Sequence, residues 1–323
     1  MKRYKIGIIG CGRIAKRFVQ ECKLIKQVMI VAIYNTNIAS AYNFCEFIGE
    51  EQIICTDSFE EFFDLIDITY IASPHRTHFD YIKKSLQSQK HVLCEKPLVL
   101  NNEEARQVFD LADREKKVLL EAIKTAYAPG YYIIKRLLQD KVIGEIVDCE
   151  ASFTKLVCGD IRELNPKCDG GSMNELATYT LLPIIDFCGT DYKNIYYYSK
   201  MSEQNVDLFT RGIMIYESML ATFKVGLGVK TEGAMVISGT EGYLYVKAPW
   251  WKPTEIEIKR ENQCNNEIIK CEFKGDGLCY EVQKMLSFIE NPLDKEYFDA
   301  TKRSIVLAQI LENYRKNDKI TFL

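Results

Sequence analysis

The stretch that decides the fold is YKIGIIGCGRIA, residues 4–15. The apolar run Tyr4–Ile9 leads directly into Gly10–Ala15, which has the pattern Gly-x-Gly-x-x-Ala. Such glycines allow a tight turn and close backbone approach to a pyrophosphate, and the following helix offers N–H groups and a favourable dipole. The stretch predicts a dinucleotide-binding loop; the alternative is a tight turn without a ligand. The predicted cofactor-binding residues of this loop are Gly10, Cys11, Gly12, Arg13 and Ile14.

Five further short apolar runs follow the first one before residue 122, and helical patterns fit between them. The predicted strands are Val28–Ile33, Ile53–Cys55, Ile68–Ala72, His91–Cys94 and Val118–Ala122. Strands that are apolar almost throughout are buried on both faces, which indicates a parallel sheet covered by helices. We therefore expect an α/β, doubly wound Rossmann domain over residues 1–122.

After residue 122 the pattern changes. A helix fits Pro129–Leu138, an alternating strand fits Glu145–Phe153, and an apolar helix fits Ser172–Cys188. Successive strands separated by turns then continue from residue 194 to residue 273. This order predicts a second α/β domain, residues 123–323, with a mainly antiparallel sheet and one helical side.

Composition excludes several classes of function. The 323 residues include 42 basic and 45 acidic ones, giving a net charge of −3, which is unlike a nucleic-acid-binding or anionic-membrane-binding protein. No window approaches the roughly 18 apolar residues of a membrane span, and the N-terminus does not have the pattern of a secretory signal. Twelve cysteines without CxxC spacing indicate reduced thiols and a cytoplasmic protein, and three histidines offer little for a metal site, so none is predicted.

The end of the second strand leaves the choice of cofactor open. An acidic residue here would bind the ribose 2′-hydroxyl of NAD, and a nearby arginine would suit the 2′-phosphate of NADP. The sequence instead has Asn35 and Thr36, which can hydrogen-bond either form, while Arg13 or Arg17 could supply charge or lie on the surface. We predict NAD or NADP, with Asn35 and Thr36 at the ribose.

A second candidate site follows the fifth strand, where Glu95-Lys96-Pro97 forms a turn. Ligands of open α/β sheets bind at the carboxyl ends of the strands, so Lys96 is predicted to lie beside the nicotinamide. Pro97 biases Lys96 away from helical conformation. The lysine could stabilise negative charge on a substrate oxygen, or it could be a solvated loop residue.

Several motifs in this order resemble the Gfo/Idh/MocA oxidoreductase family over essentially the whole chain. The matching stretches are Gly10–Ala15, Ser73–His78, Gln89–Pro97 and Gly170–Tyr179. The resemblance implies a Rossmann domain followed by a domain with a large open sheet that packs against a partner subunit, as a homodimer or homotetramer. It also implies that Lys96 is catalytic and that the helix after Gly170 carries the second catalytic residue. The residues implied to line the cofactor cleft are Ser73, Pro74, His75, His78, Glu95 and Lys96; for the two histidines, a local cap or surface role is the alternative.

The chain departs from the commonest family pattern at Tyr179, where most relatives have histidine, and at Leu182, where they have aspartate. It resembles the tyrosine-containing branch, which includes dimeric dihydrodiol dehydrogenases and glucose–fructose oxidoreductase. A cation near a phenol favours its ionised form, so Tyr179 could exchange the hydroxyl proton while hydride moves. A tyrosine buried in an apolar helix is the alternative.

Two more residues are candidates for substrate binding beside Lys96 and Tyr179. Lys124 ends the sixth strand, and Glu175 lies one helical turn before Tyr179. Lys124 could equally be a solvated loop residue, and Glu175 a surface or capping carboxylate. The predicted function is an NAD(P)-dependent dehydrogenase or reductase acting on the CH–OH group of a sugar, polyol or vicinal diol. A non-enzymatic dinucleotide-binding regulator and an NAD-dependent glycosidase are the alternatives.

Overall fold

The computed structural model describes residues 3–49, 52–159, 161–316 and 319–323. The chain folds as two compact units, of which the first comprises residues 1–124 and 274–308, and the second residues 125–273 and 309–323. The change of pattern predicted at residue 122 thus lies close to the point where the chain leaves the first unit. The prediction placed all of residues 123–323 in one domain, whereas residues 274–308 return to the first unit. The return has no local signal, because it depends on packing against residues far away in the sequence.

The first unit contains the predicted parallel sheet. Its strands are β1 (Tyr4–Ile9), β2 (Val28–Tyr34), β3 (Ile54–Thr56), β4 (Ile68–Ile71), β5 (His91–Glu95) and β6 (Leu119–Ala122). The helices between them are α1 (Arg13–Cys22), α2 (Ile38–Ile48), α3 (Phe59–Leu65), α4 (His78–Gln87) and α5 (Asn102–Arg114). The strand order is β3-β2-β1-β4-β5-β6 and all pairs are parallel, so the doubly wound fold is confirmed.

The order of the strands places the candidate site. It reverses between β1 and β4, and ligands of doubly wound sheets bind outside the carboxyl ends of the strands at such a point. The loop that begins at Gly10 follows β1, and the loop that begins at Ala72 follows β4. Lys96 follows β5 at the same edge, because parallel strands end together.

Residues 274–308 add helical structure to the first unit. Helix α8 (Leu278–Glu290) packs against α1 and against β5 and β6. Glu21 of α1 fixes the start of α8, since its carboxylate accepts hydrogen bonds from the backbone N–H groups of Asp276 at 2.8 Å and Cys279 at 3.2 Å. The first part of α9 (Lys295–Arg315) belongs to the same unit, and its Ala308 joins the hydrophobic core.

The second unit is built on a nine-stranded sheet. Before the sheet comes α6 (Pro129–Gln139), and between its first two strands in sequence lies α7 (Ser172–Cys188). The strands are β7 (Ile146–Thr154), β8 (Asn194–Met201), β9 (Asp207–Ile215), β10 (Leu220–Gly226), β11 (Met235–Gly239), β12 (Gly242–Val246), β13 (Glu255–Lys259), β14 (Glu267–Lys270) and β15 (Ile320–Phe322). Their order is β14-β13-β12-β11-β7-β10-β9-β8-β15, and only the β7–β10 and β8–β15 pairs are parallel, which confirms the mainly antiparallel sheet.

Over the residues that the structure describes, a helix covers one face of this sheet, and side chains of β8 on the other face are partly exposed. Helix α7 packs against β7, β9 and β10. On β8 the burial alternates, so that Tyr197 is buried while Tyr196 and Tyr198 are each 38% exposed on the opposite face. Within the described residues, no helix has the length and hydropathy needed to cross a membrane.

Candidate active site

The glycine loop after β1 has the geometry of a pyrophosphate cradle. Gly10 has a φ of +101°, and a Cβ there would lie 2.7 Å from the carbonyl oxygen of Ala72, so the loop can pass β4 only with glycine. Gly12 is the N-cap of α1 and has no side chain to cover the helix end. A Cβ on Gly12 would meet only the Ala72 oxygen, at 3.9 Å, so the space in front of the helix is open. An open helix N-terminus without acidic residues in its first turn fits an anionic ligand.

Asn35 lies beside this loop. Its Nδ2 donates to Cys11 Sγ at 3.3 Å, and its Oδ1 accepts from the backbone N–H of Asn37 at 2.9 Å. The Asn35 side chain is thus held between the glycine loop and its own turn, whereas Thr36 is exposed. Their contact with a ribose stays a prediction, and no carboxylate replaces them at the end of β2.

The loop after β4 is joined to the Lys96 turn by His78. The ring is fully buried, with Nδ1 2.9 Å from the carbonyl oxygen of Pro97 and Nε2 3.0 Å from that of Ser73. Burial lowers the pKa of His78, although the carbonyl contacts act in the opposite direction. With both nitrogens facing backbone carbonyls, the geometry favours a positioning role for His78 over the predicted contact with a cofactor.

The loop after β4 also contains Ser73, Pro74 and His75, which were predicted to line the cofactor cleft. Ser73 Oγ and Thr77 Oγ1 are 2.7 Å apart, and the Thr77 hydroxyl also donates to the Pro74 carbonyl. His75 is buried, and its ring packs edge-on against His78 at 5.7 Å. The cofactor contacts of Ser73, Pro74 and His75 stay predictions.

Lys96 follows β5 and is partly exposed, whereas the preceding residue, Glu95, is held by a side-chain hydrogen bond. The hydroxyl of Tyr70 donates to Glu95 Oε1 at 2.5 Å. Tyr70 is itself fully buried and stacks on Phe18 of α1 with ring centroids 3.5 Å apart. Anchoring Glu95 in this way fixes the backbone from which the Lys96 side chain projects.

Two lysines and a buried carboxyl share this edge of the sheet. Burial raises the pKa of Glu95, while the Tyr70 hydrogen bond and the charges of Lys96 and Lys124 act in the opposite direction. Lys124 is only 8% exposed. This excludes the alternative from the sequence analysis that it is a solvated loop residue. Its direct contact with a substrate stays a prediction.

Glu121 is a buried acid beside the Lys96 turn to which the sequence analysis gave no role. It is 3% exposed on β6, and its Oε1 accepts from the backbone N–H of Leu98, 3.0 Å away, just after the Lys96 turn. Burial raises the pKa of Glu121, against the stabilising effects of Ser304, Leu98, Arg303 and Lys96. The sequence feature that could have drawn attention to Glu121 is that it is a single acidic residue within the apolar run of β6.

In the second unit, the start of α7 is fixed by Asp207. This buried carboxylate accepts hydrogen bonds from Ser172 Oγ, from the backbone N–H of Met173 at 2.9 Å and from Thr210 Oγ1 at 3.2 Å. Burial raises the pKa of Asp207 to about 6, although these donors favour the charged form. The interaction orients the helix that carries Glu175 and Tyr179.

Tyr179 is partly exposed within a buried stretch of α7. Every other residue from Gly171 to Ile185 is buried, and Tyr179 alone in that range is partly exposed. Its ring packs on Phe153 at 5.3 Å, and Phe153 stacks on Trp251 at 3.7 Å. The exposure argues against Tyr179 as a core residue.

Glu175 is paired with a residue that the sequence analysis missed. Arg162 NH1 lies 2.9 Å from Glu175 Oε1, and NH2 donates to Oε2 at 2.9 Å, the bidentate geometry of a strong charged pair. Glu175 is 6% exposed and the Arg162 side chain 39%. The Arg162–Glu175 pair attaches the loop before α7 to the helix. Glu175 is therefore neither a surface carboxylate nor a capping carboxylate, which were the alternatives in the sequence analysis. Its contact with a substrate stays a prediction.

The sequence model of the family described as "Oxidoreductase family, NAD-binding Rossmann fold" matches residues 4–122, which are the six parallel strands and their helices. Residues 4–122 thus have the sequence pattern of the Gfo/Idh/MocA oxidoreductases. The glycine loop and the parallel sheet are therefore those of an NAD(P)-binding oxidoreductase.

Full-length similarity to characterised enzymes supports the same assignment. The chain is 26% identical to trans-1,2-dihydrobenzene-1,2-diol dehydrogenase of Sus scrofa, over 98% of this chain and 97% of that protein. It is 24% identical to the scyllo-inositol 2-dehydrogenase (NADP(+)) of Bacillus subtilis, over 98% of both chains.

Solved structures share the fold over the whole length. The 3-ketoreductase from Actinomadura kijaniata, in complex with NADP and TDP-benzene, superposes with a TM-score of 0.86 at 20% identity and covers 100% of both chains. The UDP-N-acetylglucosamine 3-dehydrogenase of Acidithiobacillus ferrooxidans superposes with a TM-score of 0.79 at 19% identity, over 95% of both chains. The oxidoreductase therefore has the two-domain fold of these enzymes.

Proposed function

We propose that this oxidoreductase interconverts a CH–OH group and a carbonyl on a sugar, polyol or vicinal diol, with Lys96 and Tyr179 as its catalytic pair. The observation that carries the proposal is the position of Lys96 at the carboxyl end of β5, at the same edge of the parallel sheet as the glycine loop. A bound nicotinamide supplies the hydride acceptor or donor at that edge.

In this proposal each residue has a defined task. The ammonium of Lys96 donates to the substrate oxygen and stabilises the negative charge that develops on it. The phenolate of Tyr179 takes the hydroxyl proton in oxidation, and the resulting phenol returns it in reduction. Glu95 and Tyr70 hold the backbone under Lys96, and Lys124 and Glu175 contact the other oxygens of the substrate.

The relatives support both the substrate class and the residue pair. Their names describe dehydrogenation of a dihydrodiol, an inositol and a nucleotide sugar, which all carry secondary hydroxyl groups on a ring. Solved structures of the Actinomadura kijaniata enzyme include lysine-to-alanine, lysine-to-glutamate and tyrosine-to-phenylalanine variants. The same two residue types form the pair proposed here.

For the cofactor, we expect NADPH to bind at least as tightly as NADH. A carboxylate at the end of β2 would repel a 2′-phosphate, and this chain has Asn35 and Thr36 there instead. Titration of the purified protein with both reduced forms, followed by nicotinamide fluorescence, measures the preference. Clearly tighter NADH binding would contradict this expectation.

We also propose a cytoplasmic homo-oligomer that binds no nucleic acid. All twelve cysteines are free thiols, as expected in a reducing compartment. The face of the nine-stranded sheet on which Tyr196 and Tyr198 are exposed suits contact with a second copy. A net charge of −3 favours small-molecule over nucleic-acid partners.

The test of the catalytic pair uses two variants in an assay that follows nicotinamide absorbance with a panel of sugars, inositols and vicinal diols. Lys96→Met should lower kcat by about 10²–10³-fold, because it removes the charge that faces the substrate oxygen. Tyr179→Phe should lower it by about 10²–10⁴-fold, because it removes the proton carrier. Cofactor affinity should change little in Tyr179→Phe.

The matched controls are Lys26→Met and Tyr42→Phe, whose side chains are exposed in the first unit and are not on the sheet face proposed for contact with a second copy. Full activity in Lys96→Met or Tyr179→Phe refutes the role of that residue. Cofactor binding without turnover of any substrate in the panel points to a regulator. Glycoside hydrolysis without net reduction of cofactor points to a glycosidase.

A further inference from the structure

Glu281 is a buried acid close to the catalytic edge of the sheet that the proposed mechanism does not use. It lies in the first turn of α8, is 0% exposed, and α8 packs against α1, β5 and β6. Neither carboxyl oxygen has a hydrogen-bond partner among the residues that the structure describes. An ionised carboxylate that is buried without hydrogen-bond donors is strongly disfavoured in free energy. The protonation state of Glu281 therefore has to be explained.

The groups around Glu281 come from every element near it. Glu95 lies on β5, Lys124 follows β6, and Glu21 is on α1. The Tyr70 phenol on β4 and the Cys22 thiol on α1 also interact with its charge. Among these described groups, Lys124 is a cation that favours the ionised form of Glu281, and Glu95 and Glu21 are carboxyls that oppose it.

The carboxyl groups of Glu95, Glu21 and Glu281 differ in the hydrogen bonds that they accept. Glu95 accepts from the Tyr70 hydroxyl and from the backbone N–H of Lys96. Glu21 accepts from two backbone N–H groups at the start of α8. Donors favour the ionised form of a carboxyl, and like charges at close range do not ionise together. Of the three, Glu281 is therefore the one that should hold a proton.

The fixed start of α8 prevents Glu281 from moving to a solvent-exposed position. The Glu21 carboxylate pins the start of α8, and it approaches so closely that a Cβ on Gly275 would lie 1.9 Å from Glu21 Oε1. The next turn of the helix is consequently fixed with Glu281 facing the sheet.

We propose that Glu281 is a positioning residue that stays protonated in the working enzyme and so keeps the positive charge of Lys96 and Lys124 available to the substrate oxygen. This inference rests on the proposed function of Lys96. With Glu281 neutral, Glu95, Lys96 and Lys124 sum to a charge of +1; with Glu281 ionised, the sum is zero. An ionised Glu281 would also draw the ammonium of Lys124 toward α8.

The first experiment needs no substrate. Infrared difference spectra of the purified protein are recorded during a pH titration for wild type, Glu281→Gln and Glu290→Gln. Glutamine has the shape of the neutral acid and does not titrate, and Glu290 is an exposed control on the same helix. We expect a carbonyl band of a protonated carboxyl at neutral pH in wild type and Glu290→Gln that is missing in Glu281→Gln. The same band in all three proteins, or in none, overturns the proposal.

The second experiment is the pH profile of kcat/KM. Glu281→Gln should stay within a factor of about three of wild type where Glu281 is neutral, and it should keep that activity at higher pH, where wild type declines. A loss of about tenfold or more in Glu281→Gln at every pH would show that the carboxylate is the working form, contrary to the proposal. If Lys96→Met proves fully active, the proposed function fails while the infrared result still decides the protonation of Glu281.

Discussion

Replacing Gly12 or Gly10 of the glycine loop should impair the protein for different reasons. Gly12 has φ −80° and ψ −176°, a backbone conformation open to any residue, and a Cβ there would be 3.9 Å from its nearest neighbour. Gly12→Ala should therefore change the free energy of unfolding by no more than about 0.5–1 kcal/mol. The methyl group would instead fill the space through which a pyrophosphate approaches the N–H groups of α1.

The expected loss of cofactor affinity follows from the hydrogen bonds that the methyl group blocks. One charge-assisted bond to a phosphate oxygen contributes about 1.5–3 kcal/mol, which corresponds to about 10- to 100-fold in Kd. Nicotinamide fluorescence titration of Gly12→Ala measures this loss. If the variant folds normally and binds cofactor as tightly as wild type, the assignment of the phosphate site is wrong.

Gly10→Ala should instead damage the fold. The positive φ costs about 1–2 kcal/mol for a residue with a Cβ. The Cβ would also lie 2.7 Å from the Ala72 carbonyl oxygen, and a backbone clash of this kind costs about 1–3 kcal/mol more. Gly49→Ala is the matched control, since Gly49 has a φ of +68° but open space around its Cβ, so it reports the backbone term alone. Urea unfolding followed by circular dichroism compares the three variants; equal stability of Gly10→Ala and Gly49→Ala would contradict the clash.

Two further predictions concern the start of α7. Because the pKa of Asp207 is raised to about 6, the native state holds its proton longer than the unfolded chain. Stability should therefore fall by about 3 kcal/mol as the pH rises from about 4 to about 6, and Asp207→Asn should remove this slope in urea unfolding; identical slopes would refute the role of the buried charge. Arg162→Met should cost about 1–3 kcal/mol of unfolding free energy, because it leaves the buried Glu175 carboxylate without its bidentate partner. The double variant with Glu175→Gln should recover part of that loss, and simple additivity in the cycle would show that the two side chains do not interact.

Sequence periodicity predicted the elements of the fold well, because each depends on neighbouring residues. The six strands of the first unit lie within one or two residues of their predicted bounds, and Ser172–Cys188 matches its predicted helix. The glycine loop could also be predicted, since its conformation depends on a few consecutive residues. The position of Lys96 followed from the rule that ligands bind at the carboxyl ends of parallel strands.

The sequence did not reveal which charged residues would be buried. Arg162, Glu281 and Glu121 are ordinary polar positions by composition, and only the folded chain places them against Glu175, Glu95 and the Lys96 turn. For His78, the sequence left a cofactor contact and a local role as alternatives, and only the folded chain places its ring between the backbone carbonyls of Pro97 and Ser73.

By itself, the sequence determined the strands, the helices and the glycine loop, because hydrophobic period and turn chemistry act over short stretches of chain. The tertiary structure alone decided that residues 274–308 return to the first unit and bring Glu281 close to Glu95 and Lys124. The contact that fixes this return joins Glu21 to Cys279, 258 residues apart. No local pattern encodes such a contact, since its free energy depends on burial and desolvation that exist only once both segments are packed.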